Sequence, residues 1–156
     1  MNPEEGDLRP QLLDRFGLCV GVTSLYDKAH RIEILQRRFS FDSNQDAFFK
    51  QWDEEQQKLR ERISLARESL SGISVDDGVL EKIVSVTASL KLDGHRADIV
   101  TMKTSRALAA FRGLDTIGSE EIRDAAWFAL RHRLKRLPFE EIGAEREKVM
   151  EALAKI

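Results

Sequence analysis

From Lys28 to Leu134 the apolar residues of this chain recur mostly three or four positions apart. That spacing is the repeat of an α-helix, and it gathers apolar side chains onto one face. Ile32, Leu35 and Phe39 form one such set, and Phe48, Trp52, Leu59, Ile63, Ala66 and Leu70 another. Val79, Ile83, Val86 and Leu90 make a third, and Ala97, Val100, Thr104, Leu108 and Phe111 a fourth. Ile122, Ala126, Leu130 and Leu134 complete the series, so the chain is predicted to be mainly α-helical. The exception is Leu18 to Thr23, a short, almost wholly apolar run with two valines, which suits a strand buried on both faces.

Local signals set the expected boundaries. Asp7 to Phe16 reads as a short helix, with Pro10 near its start and Gly17 as its stop. Asp27 caps a helix from Lys28 to about Phe39. A long helix follows from near Ser43 to Leu70, with the polar stretch Asp53 to Lys58 as a solvated middle or a break, and Gly72 ends it. Ser74 is the expected cap for Val75 to about Lys91, and Asp93-Gly94 is a turn. The next helix runs from about His95 to Phe111 and stops at Gly113. Ser119 caps another, with Glu120 and Glu121 in its first turn, where acids suit the helix dipole, and Pro138 closes it. Glu140 to Ile156 forms a last helix on Val149, Leu153 and Ile156.

Composition removes several function classes. The chain has 156 residues, 42% of them hydrophobic and 33% charged, enough for one ordinary domain and a core. Its formal charge of −2 argues against nucleic-acid binding, and the basic stretch Arg131 to Arg136 reads as a helix end that complements the dipole. No run of 18 apolar residues marks a membrane span. The one cysteine, Cys19, excludes an intrachain disulfide and reads as a buried small hydrophobe. His30, His95 and His132 lack partners at zinc spacing. Trp52 and Trp127 fall on amphipathic faces and read as core or interface anchors.

The chemistry lies near the start. Asn2-Pro3-Glu4-Glu5-Gly6 leads into Leu8-Arg9-Pro10-Gln11-Leu12-Leu13-Asp14-Arg15-Phe16-Gly17. This run closely resembles the small ATPase subunit of magnesium chelatase, a ring-forming AAA+ family. The resemblance implies that Asn2 is the sensor 1 residue, which positions the attacking water. It implies that Arg15 is the arginine finger, reaching the neighbouring subunit's nucleotide. A guanidinium suits that task because phosphoryl transfer piles charge onto phosphate oxygens and arginine stays protonated. Arg9 lies six residues from Arg15, about 120° out of register on a helix, so two helical residues there would not share a face. On residue chemistry alone, without the resemblance, Arg15 reads as a surface ion pair with Asp14 or Glu33.

Gly94-His95-Arg96-Ala97-Asp98 sets an arginine in the first turn of a helix, against the dipole. A phosphate at that helix start would justify the placement. The element resembles the Gly-x-Arg sensor 2 of the same family, which implies that Arg96 contacts the γ-phosphate. No Gly-x-x-x-x-Gly-Lys-[Ser/Thr] run cradles phosphates here, and no apolar strand ends in paired acids to hold Mg²⁺. The chain therefore reads as the C-terminal part of a longer AAA+ protein and is expected to be inactive alone.

The resemblance spans roughly Asn2 to Pro138 and implies an AAA+ helical lid bundle with a helix–strand remnant of the α/β nucleotide-binding domain. The expected division is a core remnant over 1–26, connecting helices over 27–72, a lid with sensor 2 over 73–138, and a C-terminal helix or tail over 139–156. The intact protein is expected to be a cytoplasmic ATPase that uses ATP and Mg²⁺ in a homo-oligomeric ring. With larger chelatase subunits it would drive metal insertion into a tetrapyrrole. The alternatives are a related AAA+ remodelling or nucleic-acid motor, and a helical interaction module without catalysis.

Overall fold

The computed structural model describes residues 10–92, 94–134 and 144–154, and among these it is helical without strands. The elements are α1 (Pro10–Leu13), α2 (Lys28–Ser43), α3 (Gln45–Ser69), a 3₁₀ turn at Leu70–Gly72, α4 (Asp77–Ser89), α5 (Arg96–Arg112), α6 (Ser119–Leu130) and α7 (Ala144–Leu153). The chain forms two compact units, one of residues 1–20 with 66–156 and one of residues 21–65.

The first unit is a helical bundle with two apolar clusters. One gathers Val86 of α4, Ala97 of α5, Ala126, Ala129 and Leu130 of α6, and Val149, Ala152 and Leu153 of α7. The other gathers Ile73, Val79 and Ile83 with Ala109, Ala110, Ile117 and Ile122, and Ala66 and Leu70 pack against it. The α4 and α6 faces are those the periodicity predicts. The α5 face is not: its buried residues are Ala97, Thr101, Ser105, Ala109 and Ala110, while Val100, Thr104, Leu108 and Phe111 are half-buried. Ala97 of α5 shares a cluster with Ala126 and Ala129 of α6, and Ala109 and Ala110 share one with Ile122. Periodicity weighted by hydrophobic size therefore picks the shoulder of this helix rather than its centre.

Capping explains the helix ends. Asp27 caps α2 by accepting the His30 amide at 3.0 Å. Asn44 accepts the Ala47 amide at 3.0 Å and starts α3, which then runs unbroken through Asp53 to Lys58. Asp76, not Ser74, caps α4, accepting the Val79 amide at 2.8 Å; a carboxylate is the stronger acceptor for the positive end of the helix. Gly113 closes α5 at φ +73°, with the Leu114 amide on the Ala109 carbonyl at 2.9 Å. At α6 the cap residue is Gly118 rather than Ser119, and Glu121 reaches back to the Gly118 amide at 3.0 Å.

Arg112 joins the end of α5 to the start of α6, donating to Glu121 at 2.6 Å and to Asp124. Burial alone would raise the Glu121 carboxyl. The Arg112 hydrogen bond and the amides of Glu121 and Gly118 outweigh it, and the pKa falls below the ordinary value.

The predicted strand over Leu18 to Thr23 is absent. A strand is held by a neighbouring strand, and none occurs among the described residues. Leu18, Val20 and Val22 stand exposed, and Cys19 is half-buried rather than fully enclosed. The second unit, with α2 and the first part of α3, buries no residue of either helix. Its local packing is aromatic: Phe41 meets Phe48 and Phe49 edge-on, at centroid distances of 5.6 and 6.0 Å, and Arg37 lies 4.7 Å over the Trp52 ring.

Candidate functional site

Asp14, not Arg15, is the structural hub of the Leu-Leu-Asp-Arg-Phe-Gly run. Helix α1 ends at Leu13, and two tight turns follow, the Arg15 amide to the Leu12 carbonyl and the Phe16 amide to the Leu13 carbonyl, both at 3.1 Å. Gly17 is not the left-handed stop expected of it: among the described glycines, positive φ occurs at Gly94 and Gly113. The turns deliver the Asp14 carboxylate to two arginines from the bundle. Arg96, first residue of α5, pairs with Asp14 Oδ2 and donates to the Asp14 carbonyl at 3.1 Å. Arg133, beyond the end of α6, reaches Asp14 Oδ1 at 3.3 Å.

Arg133 is the residue that sequence reasoning missed. Its side chain is only 4% exposed, and each of its five N–H groups has an acceptor. Nε serves Asp14 Oδ1. Nη1 serves the Gly17 carbonyl at 3.1 Å and the Ala129 carbonyl. Nη2 serves the Asp14 carbonyl at 3.2 Å and the Phe16 carbonyl at 2.8 Å. Burial pushes the Arg133 pKa down, and Asp14 opposes that by charge and hydrogen bond. A planar fork with five fixed donors suits such a cluster of carbonyls; a lysine could not satisfy it.

The sequence reading ran α6 to Pro138 and gave the basic stretch to its last turn. Instead α6 stops at Leu130, and the Arg133 amide turns back to the Leu130 carbonyl at 2.9 Å. Pro138 lies outside the described residues. The turn aims His132 and Arg133 at residues 14–17, while Arg131 lies 5.3 Å over the Trp127 ring. His132 Nε2 sits 3.0 Å from the Phe16 carbonyl and 2.9 Å from Arg133 Nη1. These contacts demand opposite tautomers. Arg133 is already satisfied by oxygens, so the assignment is Nε2–H donating to Phe16. Burial lowers the His132 pKa, against the Phe16 bond that raises it. A last tie, Cys19 amide to Phe128 carbonyl at 2.9 Å, extends the fastening to residue 19.

Arg15 is left exposed and pairs with no acidic residue among those described. The ion pair with Asp14 that residue chemistry allows is not formed, because Asp14 is engaged by Arg96 and Arg133; Glu33 pairs with Arg37 of its own helix. Arg96 is half-exposed, at the start of α5 and behind Gly94, whose φ is +73°. The structure thus brings Arg96 to the Asp14–Arg15 turn. Asn2 lies outside the described residues, as do Arg9 and the acidic residues Glu4, Glu5 and Asp7. Among the described residues no cluster of His, Cys, Asp or Glu could hold a metal ion, and no helix is long and apolar enough to cross a membrane.

Residues 80–153, from within α4 to the end of α7, match the AAA lid domain. Residues 80–153 form an AAA lid domain. Several of its relatives are named as magnesium-chelatase subunits. A magnesium-chelatase subunit ChlI homolog of Methanocaldococcus jannaschii is 46% identical over 149 residues, 96% of this chain and 41% of that protein. The magnesium-chelatase 38 kDa subunit of Chlorobaculum tepidum is 43% identical over 155 residues, 99% of this chain and 39% of that protein. The chloroplastic magnesium-chelatase subunit ChlI of Oryza sativa subsp. indica is 45% identical over 143 residues, 92% of this chain and 34% of that protein. The chain thus spans 34–41% of the length of these relatives. A solved Cytophaga hutchinsonii protein described as a candidate ATPase shares the fold, with a TM-score of 0.68 at 18% identity over 97% of this chain and 49% of that one.

Proposed function

We propose that this lid region works within a magnesium-chelatase-type AAA+ ATPase subunit, which couples ATP hydrolysis to metal insertion into a tetrapyrrole. In that reading Arg15 is the arginine finger, Arg96 is sensor 2 and Asn2 is sensor 1. The observation that supports it is the division of labour at residues 14–17. Asp14 takes the bundle's arginines, and Arg15 stays exposed and unpaired with acids among the described residues. A surface ion pair would have used the nearest acid; a residue that serves another subunit must be left free of it.

The residues present fit the outer side of a triphosphate and not its cradle. Two guanidinium groups, Arg15 and Arg96, suit phosphate oxygens, while the sequence has no phosphate-wrapping glycine loop and the described residues offer no Mg²⁺ site. ATP and Mg²⁺ would therefore be held chiefly by the ATPase portion of the subunit, and this chain alone would not hydrolyse ATP. When bound, ATP supplies the phosphoryl group whose transfer drives the cycle. Arg96 would then share its guanidinium between Asp14 and phosphate. Arg15 would act across a homo-oligomeric ring, the larger chelatase subunits would receive the resulting motion, and the assembly would work in the cytoplasm.

The test is a mixed ring. Arg15→Ala in an ATPase subunit carrying this region should lower turnover about 10³-fold or more while leaving nucleotide affinity near normal. A variant subunit should regain turnover at its own nucleotide when its neighbour supplies an intact Arg15. Normal turnover in rings built only of the variant would refute the assignment.

A further inference from the structure

We propose that Arg133 is a positioning residue for phosphoryl transfer in the neighbouring subunit, because it fixes the turn that aims Arg15; this rests on the reading of Arg15 as the arginine finger. Apolar packing does little to fix that turn. Helix α1 is four residues long, and Leu12 and Phe16, on either side of Asp14 and Arg15, are 45% and 53% exposed. Side chains left in water contribute little burial energy, so the turn depends on polar bonds.

Most of those bonds come from one guanidinium. Arg133 donates to the Asp14 carboxylate at 3.3 Å and to the Asp14 carbonyl at 3.2 Å. It also donates to the carbonyls of Phe16 at 2.8 Å and Gly17 at 3.1 Å. These acceptors lie before and after Arg15 in the chain, and Arg15 supplies none of them. Arg96 bonds Asp14, before Arg15, and His132 bonds Phe16, after it; Arg133 bonds both. A rigid fork that grips the chain on both sides of a residue sets the direction in which its side chain leaves the backbone. The side chain itself remains available to another partner.

The base of the fork is firm. Arg133 follows α6, with its amide on the Leu130 carbonyl at 2.9 Å and Nη1 on the Ala129 carbonyl. Ala126, Ala129 and Leu130 are wholly buried, and the Arg133 side chain is itself enclosed. Arg133 also lies within the lid domain of residues 80–153. The aim of Arg15 is therefore taken from the core of its own lid, and one subunit's lid steers turnover at the next subunit's nucleotide. Precision matters there, since a displacement of about 1 Å from the productive geometry costs on the order of 100-fold in rate.

ATP hydrolysis by assembled rings of an ATPase subunit carrying this region tests the proposal, with Arg133→Gln, Arg15→Ala and the double variant compared with the unaltered subunit. Arg133→Gln should lower kcat about 100-fold and leave KM for ATP near its original value, the mark of an interaction made in the transition state. The double variant should be no slower than Arg15→Ala, because misaiming a finger that is already absent costs nothing further. Arg133→Lys should be nearly as slow as Arg133→Gln, since three donors on one atom cannot span the acceptors of the fork. The lysine keeps the charge and the stem, so it carries the test if circular dichroism shows that Arg133→Gln loosens the bundle. A normal kcat in Arg133→Gln beside a slow Arg15→Ala overturns the proposal and leaves the finger reading standing. Losses that multiply in the double variant overturn it too, by giving Arg133 a role apart from Arg15, as does full activity in Arg133→Lys. Normal turnover in Arg15→Ala removes the finger reading and the proposal with it.

Discussion

In the bundle of residues 66–154, α4, α5, α6 and α7 close their apolar faces on one another, and Ile83, Ile122 and Leu130 are almost wholly excluded from water. In the unit of residues 21–65, α2 and α3 carry the same three-and-four spacing and bury nothing. Helical periodicity therefore says where an apolar face lies but not what covers it. The bundle supplies its own cover within the chain. The α2–α3 unit keeps only an aromatic cluster at its turn and i,i+4 ion pairs along its surface, such as Arg38 with Asp42 and Lys58 with Glu54. Exposed pairs of that kind contribute a few tenths of a kcal/mol each.

The sharpest way to break this comparison is to cut one isoleucine from each unit. Ile83→Ala removes a side chain 1% exposed at the meeting of α4 with the second cluster. It should destabilise the bundle by about 3 kcal/mol, the usual cost of a buried isoleucine. Ile63→Ala removes one that is 43% exposed and should cost below about 1 kcal/mol in the monomer. Denaturant titration at low protein concentration measures both. Equal losses would mean that α3 is packed in solution far more tightly than its exposed face allows.

A change of pH should act on the bundle by a smaller margin, through His132 and Glu121. His132 has a lowered pKa, so the unfolded chain binds a proton more readily than the folded one. Stability should be full above the unfolded histidine value of about 6.5 and fall as the pH drops through the folded one. Glu121 is also lowered, so its contribution should be present above about 4.3 and be lost as acid protonates the folded carboxyl. Melting of the bundle, followed through Trp127, should therefore decline in two stages. His132→Asn should flatten the first and Glu121→Gln the second. A profile that both substitutions leave unchanged would show that neither group is coupled to folding.

Much of the bundle was legible in the sequence, because its cores are built by strong signals: Val79, Ile83 and Val86 on one face, Ile122, Ala126 and Leu130 on another, and Gly113 as a stop. The α5 face was misplaced because alanine, serine and threonine carry little hydrophobic signal yet permit the closest approach. The strand at residues 18–23 was read from a short apolar run with two valines, and β-propensity means little without a neighbouring strand. The candidate site divides in the same way. Arg15 and Arg96 were found through motifs, whereas Arg133 sits in a basic stretch that composition treats as solvated. Its role depends on a turn 116–119 residues away in sequence from its acceptors, and no local pattern encodes that. The one available hint was Asp14, an acid beside the proposed finger that had to have partners of its own.

The fastening of residues 14–19 to the bundle is the claim on which the reading of Arg15 depends, and amide hydrogen exchange measures it directly. The Cys19 amide, bonded to the Phe128 carbonyl, is the reporter. In the unaltered chain and in Arg15→Ala it should exchange slowly and at matching rates, because Arg15 takes no part in the clamp. In Arg133→Ala five donors are lost from the segment's carbonyls, its carboxylate and the end of α6, and Cys19 should exchange at least about tenfold faster, while amides in the middle of α5 change far less. Equal Cys19 exchange in all three chains would contradict the clamp, and with it the account of how Arg15 is left free to serve a neighbouring subunit.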